Sequence, residues 1–247
     1  MNTETDNEPW EILADDWDNR NGDDGNKFHR ELVRPATLRM LAPQKGERIL
    51  DIACGNGVFT LYLAKHDVEV VAFDYSPSMI KHAKKRCAHY IDRIKFSIAD
   101  ATNFDQIISL AEEKYFDKAV ANMAVMDISN IEPLFKAVYE LLRIGSVFVF
   151  SIEHPCFQTP EMRFTEDGRG LITTNYIKPQ RYSCQILSDN PKCAYHWHRS
   201  LQELLAVCFN IGFVLDGLEE PIFTKEESPQ LVWENIPRPI VLRLRKI

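Results

Sequence analysis

The chain predicts an α/β fold: a doubly wound sheet of seven strands, mostly parallel, with an antiparallel hairpin at the C-terminal end and an insertion after the fifth strand. Three observations carry that expectation. Five short apolar runs, at residues 48–52, 68–74, 94–99, 116–121 and 146–152, alternate with stretches of helical periodicity, the pattern of a parallel sheet with right-handed crossovers. The first run passes into a turn holding Gly55 and Gly57 and then into a helix, which is how nucleotide-type binding units begin. The last two runs, 213–218 and 240–245, have no helix between them, so they pair antiparallel.

Taken in order, residues 8–18 place Trp10, Leu13, Ala14 and Trp17 at i, i+3, i+4 and i+7, an amphipathic helix. A polar loop follows at 19–26. Residues 28–41 read as one or two helical turns, a break before Pro35, and a second helix with Pro35 in its first turn. Ile49, Leu50 and Ile52 form a strand buried on both faces, and 58–66 a helix. After the second strand, Ser76 is the N-cap and Pro77 the first residue of a helix that turns Met79, Ile80 and Ala83 inward. Residues 131–144 form an amphipathic helix with Pro133 in its first turn and Gly145 as C-cap; the almost wholly apolar run that follows is a central strand. A helix at 200–211 stops at Gly212. Residues 153–199 are too long for a simple connection and read as a functional insertion.

Composition narrows the function classes. With 45% hydrophobic and 26% charged residues in 247, the chain has an ordinary globular balance and suits one large α/β domain. A net charge of −7, with no Lys/Arg cluster beyond the solvated helix face at Lys81–Arg86, argues against nucleic acid as a partner. No apolar run is long enough to span a bilayer and no signal peptide is visible. Residues 1–8 are polar and acidic and are expected to be disordered. None of the six cysteines forms a C-x-x-C pair, so free thiols in a reducing, cytoplasmic setting are expected; a Cys184–Cys193 disulfide is the alternative.

The chemistry centres on Asp51, Ala53, Cys54, Gly55, Asn56 and Gly57. Glycines let the main chain approach a ligand closely. The dinucleotide fingerprint G-x-G-x-x-G is incomplete, because Thr60 stands where its third glycine would be. Asp51, ahead of the glycines, suits a ligand ammonium better than a pyrophosphate, and S-adenosylmethionine (SAM) fits. Asp74, at the end of the second strand, suits a ribose diol, with Tyr75 and Met79 as apolar walls against the adenine; plain core packing is the alternative for Met79.

The D-x-x-C-G-x-G stretch resembles motif I of the class I SAM-dependent methyltransferases, in particular bacterial members acting on small molecules, whose sheet is Rossmann-like. The resemblance covers residues 47–152 by motif and the last fifty by pattern. It implies SAM as cofactor and S-adenosylhomocysteine (SAH) as product. It also implies that Asp100 accepts from the adenine amino group while the Ala101 amide meets a ring nitrogen; a helix-cap role is the alternative for Asp100. Asn122, Met123 and Asp127 fall on a stretch resembling motif IV, which closes over the sulfonium and presents the acceptor. Residues 1–45 would be a helical lid touching the methionine end through His29 or Arg30, unless these are surface residues, and 46–247 the methyltransferase domain.

Within that domain, 153–199 would cap the acceptor pocket. Its aromatic residues, among them Phe157, Tyr182 and Trp197, suit a small organic acceptor; a surface hairpin or a homodimer contact is the alternative. His154 is the first candidate base for an oxygen or nitrogen acceptor, or else a turn histidine bonded to main chain, and Asp127 is the second. The pair His196 and His198 is too weak a pattern for a metal site. In-line SN2 methyl transfer is the expected reaction. A non-catalytic SAM- or SAH-binding protein and an NAD(P)-dependent oxidoreductase are the alternatives.

Overall fold

A computed structural model describes residues 8–112, 115–187, 190–226, 228 and 230–247; the expectation of disorder at 1–8 lies, but for Glu8, outside them. Helix α1 (Glu8–Asn21) comes first. A π-helical turn (His29–Val33) then runs directly into α2 (Arg34–Leu41). The alternating core is β1 (Arg48–Ile52), α3 (Val58–Ala64), β2 (Glu69–Asp74), α4 (Pro77–Arg86), β3 (Ile94–Ile98), α5 (Phe104–Ser109), β4 (Phe116–Asn122), α6 (Glu132–Leu141) and β5 (Leu142–Glu153). Two small hairpins follow: β6 (Arg163–Phe164) with β7 (Leu171–Ile172), and β8 (Gln180–Gln185) with β9 (Cys193–His198). The chain closes with α7 (Leu201–Ile211), β10 (Phe213–Glu219) and β11 (Pro239–Lys246).

The main sheet has the strand order β10-β11-β5-β4-β1-β2-β3, with β11 antiparallel to both of its neighbours. All five residues of β1 are buried because helices cover both faces of the sheet. Successive side chains alternate between the two layers. Leu50 and Ile52 join Phe73, Phe116, Phe135, Phe148 and Phe150 on one face, and Ile49 joins Leu41, Phe59, Leu63, Val70 and Ile80 on the other. Strand order reverses between β1 and β4, and a crevice at the carboxyl ends of the strands is expected there.

Two expectations are corrected. There is no break before Pro35: the Arg34 amide donates to His29 O, five residues back, and this wide turn absorbs the hydrogen bond that Pro35 cannot donate. Gly145 does not cap a helix. Helix α6 ends at Leu141, where Lys246 Nζ donates to Tyr139 O (2.6 Å) and Leu142 O (2.9 Å). Gly145, at φ 83°, lies instead in an irregularity of β5, where pairing to β4 jumps from Phe116–Leu142 to Lys118–Val147. Two local signals appear where the sequence places them: Ser76 caps α4 by accepting from the Met79 amide, and Gly212, at φ 114°, ends α7. Ser200 also caps α7, accepting from the Glu203 amide. All six cysteines are free.

Candidate functional site

At the reversal point β1 is followed by Ala53 and β4 by Met123, both forced into the left-handed region at φ 49° and 56°. Such backbone is costly for residues with a Cβ and persists where surrounding structure fixes it, often at functional sites. Here the Cys54 amide donates to Phe73 O (2.9 Å), and the Met123 amide donates to Ser151 O (3.0 Å) and Oγ (2.9 Å). The two bends open a crevice of about 1180 Å³, its mouth included. Asp51, Ala53, Cys54, Gly55, Asn56, Asp74, Tyr75, Met79, Asp100, Ala101, Asn122, Met123, Asp127 and His29 all line it.

The acids of the crevice are held in different ways. Asp51, 1% exposed, accepts from the Thr60 hydroxyl (2.6 Å), so the residue in the third-glycine position anchors the buried carboxylate. Burial pushes Asp51 up to about 7, against the Thr60 bond and with help from Asp74. Asp74 accepts from the Gly55 amide (2.8 Å) with one oxygen and from the Ser76 amide (2.9 Å) with the other, which ties the glycine turn to the tip of β2. Burial nevertheless raises it above the ordinary carboxylate range. Asp100 accepts from the Thr102 amide and hydroxyl (both 2.8 Å), and Asn103 takes the helix-cap role at α5. Burial also raises the Cys54 thiol well above its ordinary value, so it stays protonated.

The two glycines differ. Gly55, at φ 53°, has open space where a Cβ would stand, whereas a Cβ on Gly57 would lie 2.7 Å from Ala83 Cβ. Gly57 does not line the crevice; it lets α3 pack on α4, the close-packing duty of a third fingerprint glycine.

Trp10, Trp17 and Asn21 from α1 form part of the wall, and Trp17 meets the His29 ring edge to face at 6.0 Å. Burial first, then Arg238 and Arg34, pushes His29 down to about 4. Arg30 points elsewhere, to Gly25 O (3.2 Å) and Glu31. Helix α1 is held on α4 through Glu11, which accepts from the Ser76 hydroxyl, the Ser78 amide (3.1 Å) and the Ser78 hydroxyl (2.6 Å). Asp18 accepts from Asn56 Nδ2 (2.9 Å) and pairs with Arg86 (2.8 Å). Leu13, Trp10 and Trp17 also pack against Leu187 and Ala194 of the insertion.

His154 lies outside this crevice. Its Nδ1 accepts from the Cys156 amide (3.2 Å) and its Nε2–H donates to Glu220 (2.7 Å), so both ring nitrogens are engaged within the protein. It matches the turn histidine bonded to main chain. Asp127 is within the crevice, and behind it stands His196, with Nε2 3.0 Å from Asp127 Oδ1 but off the line of a hydrogen bond. From the sequence, His196 is a candidate only for a weak metal pair with His198. Among the described residues no group of three or more potential ligands could hold a metal, and His198 donates to Tyr176 O (2.7 Å).

Residues 43–193 match a family model described as a methyltransferase domain. The chain belongs to that family. It is similar to a SAM-dependent methyltransferase from Mesorhizobium loti, at 25% identity and a TM-score of 0.74 over 91% of this chain and all of that one. It is 26% identical over 215 residues to an uncharacterized protein of Haemophilus influenzae, 83% of this chain and 80% of that protein. It is also 31% identical over 177 residues to a demethylmenaquinone methyltransferase of Clavibacter sepedonicus, 70% of this chain but 65% of the relative. Together these findings make the protein a SAM-dependent methyltransferase and set aside the oxidoreductase alternative. The residues present fit SAM: the space over Gly55 is the volume a Cβ would fill, and buried carboxylates stand at successive strand tips for a cationic nucleoside. Among the described residues no helix is long and apolar enough to cross a membrane.

Proposed function

We propose that this methyltransferase acts on an oxygen or nitrogen of a small organic molecule. One observation carries the reading: Trp10 and Trp17 of α1 stand in the crevice wall and pack with Leu13 against Leu187 and Ala194 of the insertion, which narrows the room for a large acceptor. The net charge of −7 and the name of the Clavibacter relative, whose acceptor is an organic molecule and not a nucleic acid, support a small-molecule acceptor. On this reading residues 1–45 serve as the lid, and 153–199 as the cap within the methyltransferase domain of 46–247.

SAM, when bound, supplies a methyl group activated by a positively charged sulfur. The protein's task is then to hold, orient and dry. Asp51 is the partner for an ammonium and Asp74 for a ribose diol. Tyr75 and Met79 flank the base, while Asp100 and the Ala101 amide offer polar contacts to its edge. Asn122 is fixed by the Thr37 and Ser151 hydroxyls, both 3.2 Å from its Oδ1. Together with Met123 and Asp127 it faces the acceptor. His29, His154 and Gly57 have no direct chemical role in this scheme: His29 is an uncharged wall and the other two support the frame.

The test is incubation of the protein with methyl-labelled SAM and a metabolite extract, followed by mass spectrometry. Label in a molecule below protein size is the expected result. Calorimetric binding of SAM with no labelled product from any extract would favour a non-catalytic SAM- or SAH-binding protein.

A further inference from the structure

The strongest unassigned feature is the group behind the crevice wall. Asp127 Oδ1 is buried and has no hydrogen-bond partner, although His196 Nε2 lies 3.0 Å away. On the other side of the His196 ring, Nδ1 faces the Tyr182 hydroxyl at 3.5 Å and Glu153 Oε2 at 3.8 Å. The groups come from separate elements. Asp127 ends the 3₁₀ turn after β4, Glu153 ends β5, Tyr182 lies on β8 and His196 on β9. Arg238 stands 3.6 Å from Glu153, and Arg199 donates to Ile128 O (2.7 Å) and Ser129 O (2.8 Å), which fixes the segment carrying Asp127. Asp74 acts on Asp127 across the crevice, and Cys184 lies within electrostatic reach of both Asp127 and Glu153. A buried acceptor oxygen left unpaired is expensive. A buried oxygen and an imidazole nitrogen at this distance are satisfied by a proton between them once the ring or the carboxylate turns slightly.

We propose that Asp127 and His196 form a proton-holding pair at the acceptor end of the crevice, in which Asp127 takes the acceptor's proton and His196 is the positioning residue that keeps the buried carboxylate usable. The proposal rests on the reading of a small oxygen or nitrogen acceptor. In the transfer step a bond forms between the acceptor heteroatom and the methyl carbon. The carbon–sulfur bond breaks with its electron pair going to sulfur, and the acceptor's proton passes to the Asp127 carboxylate. The resting charge state agrees with this arrangement. Burial first, then Glu153 and Asp74, raises Asp127 well above the ordinary range, while burial lowers His196, so the surroundings push both groups toward their uncharged forms. A cation entering the crevice favours the carboxylate, and the pair then gives up its proton before the acceptor needs it.

The experiment is a proton inventory by calorimetry in buffers of different ionisation heat, with SAM and with SAH, near pH 7. Wild type is expected to release more protons with SAM than with SAH. Asp51 contributes its own share, so the deciding quantity is the difference between wild type and Asp127→Asn. A reduced SAM-minus-SAH difference in Asp127→Asn supports the pair, and an unchanged one overturns it. A second variant, His196→Gln, is expected to keep SAM affinity within about threefold while shifting the pH at which release occurs; release at the wild-type pH refutes the positioning role. With an acceptor in hand, the rate of methyl transfer against pH in His196→Gln is expected to move its acid limb by about one unit. The inventory needs no acceptor, so failure to find one counts against the proposed function, while the pair stands or falls on the calorimetry.

Discussion

At the cofactor end of the crevice the lining residues come from the tips of three neighbouring parallel strands and the turns directly after them, Asp51 to Gly55, Asp74 to Met79, and Asp100 to Thr102. At the proposed acceptor end Asp127 meets His196 from a hairpin far along the chain, and Trp17 of the first helix packs with Ala194 of that hairpin. The first end is built by local backbone geometry that a few residue types enforce. The second is built by packing between segments that nothing in the sequence ties together. Damage to the first should therefore appear in SAM affinity or global stability, and damage to the second in the acceptor, the proton balance or the lid.

Replacing Asp74 is the hardest test of that contrast. Asp74→Ala removes the acceptor expected for the ribose and leaves the Gly55 and Ser76 amides without their partner. Loss of charge-assisted hydrogen bonds of this kind costs about 3 kcal/mol, or roughly 100-fold in affinity. Calorimetry with SAM measures it; a change of less than threefold would show that the tip of β2 is not where the ligand is held.

The two glycines break the comparison within a single turn. Gly57→Ala puts a Cβ against Ala83 and imposes a left-handed backbone on a residue with a side chain, a combined cost of about 3 kcal/mol. The melting temperature should fall by about 6–12 °C. Gly55→Ala meets no protein atom, so only the backbone strain of about 1 kcal/mol remains, and its larger effect should be on SAM affinity. Equal melting temperatures for the two variants would contradict the packing role of Gly57.

Charge gives a third, smaller effect. Asp51 is an acid whose folded-state value is raised, from 3.8 to about 7. Its protonated form is the one the folded chain favours, so the contribution is fully present below pH 3.8 and is lost as pH rises toward and through 7. Melting curves of ligand-free wild type against Asp51→Asn between pH 4 and 8 should diverge, with the variant the more stable at the upper end. Parallel curves would mean that Asp51 is already ionised without a cation beside it.

The same contrast explains what could be read from the sequence. Strands, the glycine turn, the cap at Ser76, the stop at Gly212 and the acids at strand tips were legible because each depends on a few adjacent residues. Pro35 predicts a broken helix only if helices are taken as α throughout, and a π turn satisfies the same constraint. Gly145 follows an apolar helical stretch, but Lys246, from the last strand, supplies the cap. His154 stands in a conspicuous turn, yet its partner Glu220 comes from beyond β10. Trp10 and Trp17 were visible only as the apolar face of a helix. Thr60 was read as a missing glycine, when its distance from Asp51 on a strand-turn-helix unit was the available sign that a hydroxyl could reach back. His196 gave no local sign at all, since its meaning depends on Asp127.

The smallest effect tests how the two ends are joined. Glu11 reaches from α1 to both Ser76 and Ser78 at the start of α4, so α1, the proposed lid, is fastened to the element that follows β2. Burial raises this carboxyl, but the Ser76 and Ser78 hydrogen bonds outweigh it and the net value lies below 4.5. Its contribution is therefore present above pH 4.5 and is lost as pH falls through the lowered value. Glu11→Gln keeps an acceptor and removes the charge, at a cost of about 1 kcal/mol or less for a partly exposed group. Melting temperature should barely move, while the Ser78 amide should exchange with solvent faster and SAM should dissociate about 2- to 5-fold faster, in line with that energy. If exchange at Ser78 quickens and SAM dissociation does not, α1 is fastened to α4 but does not gate the crevice, and the acceptor end is closed by the insertion alone.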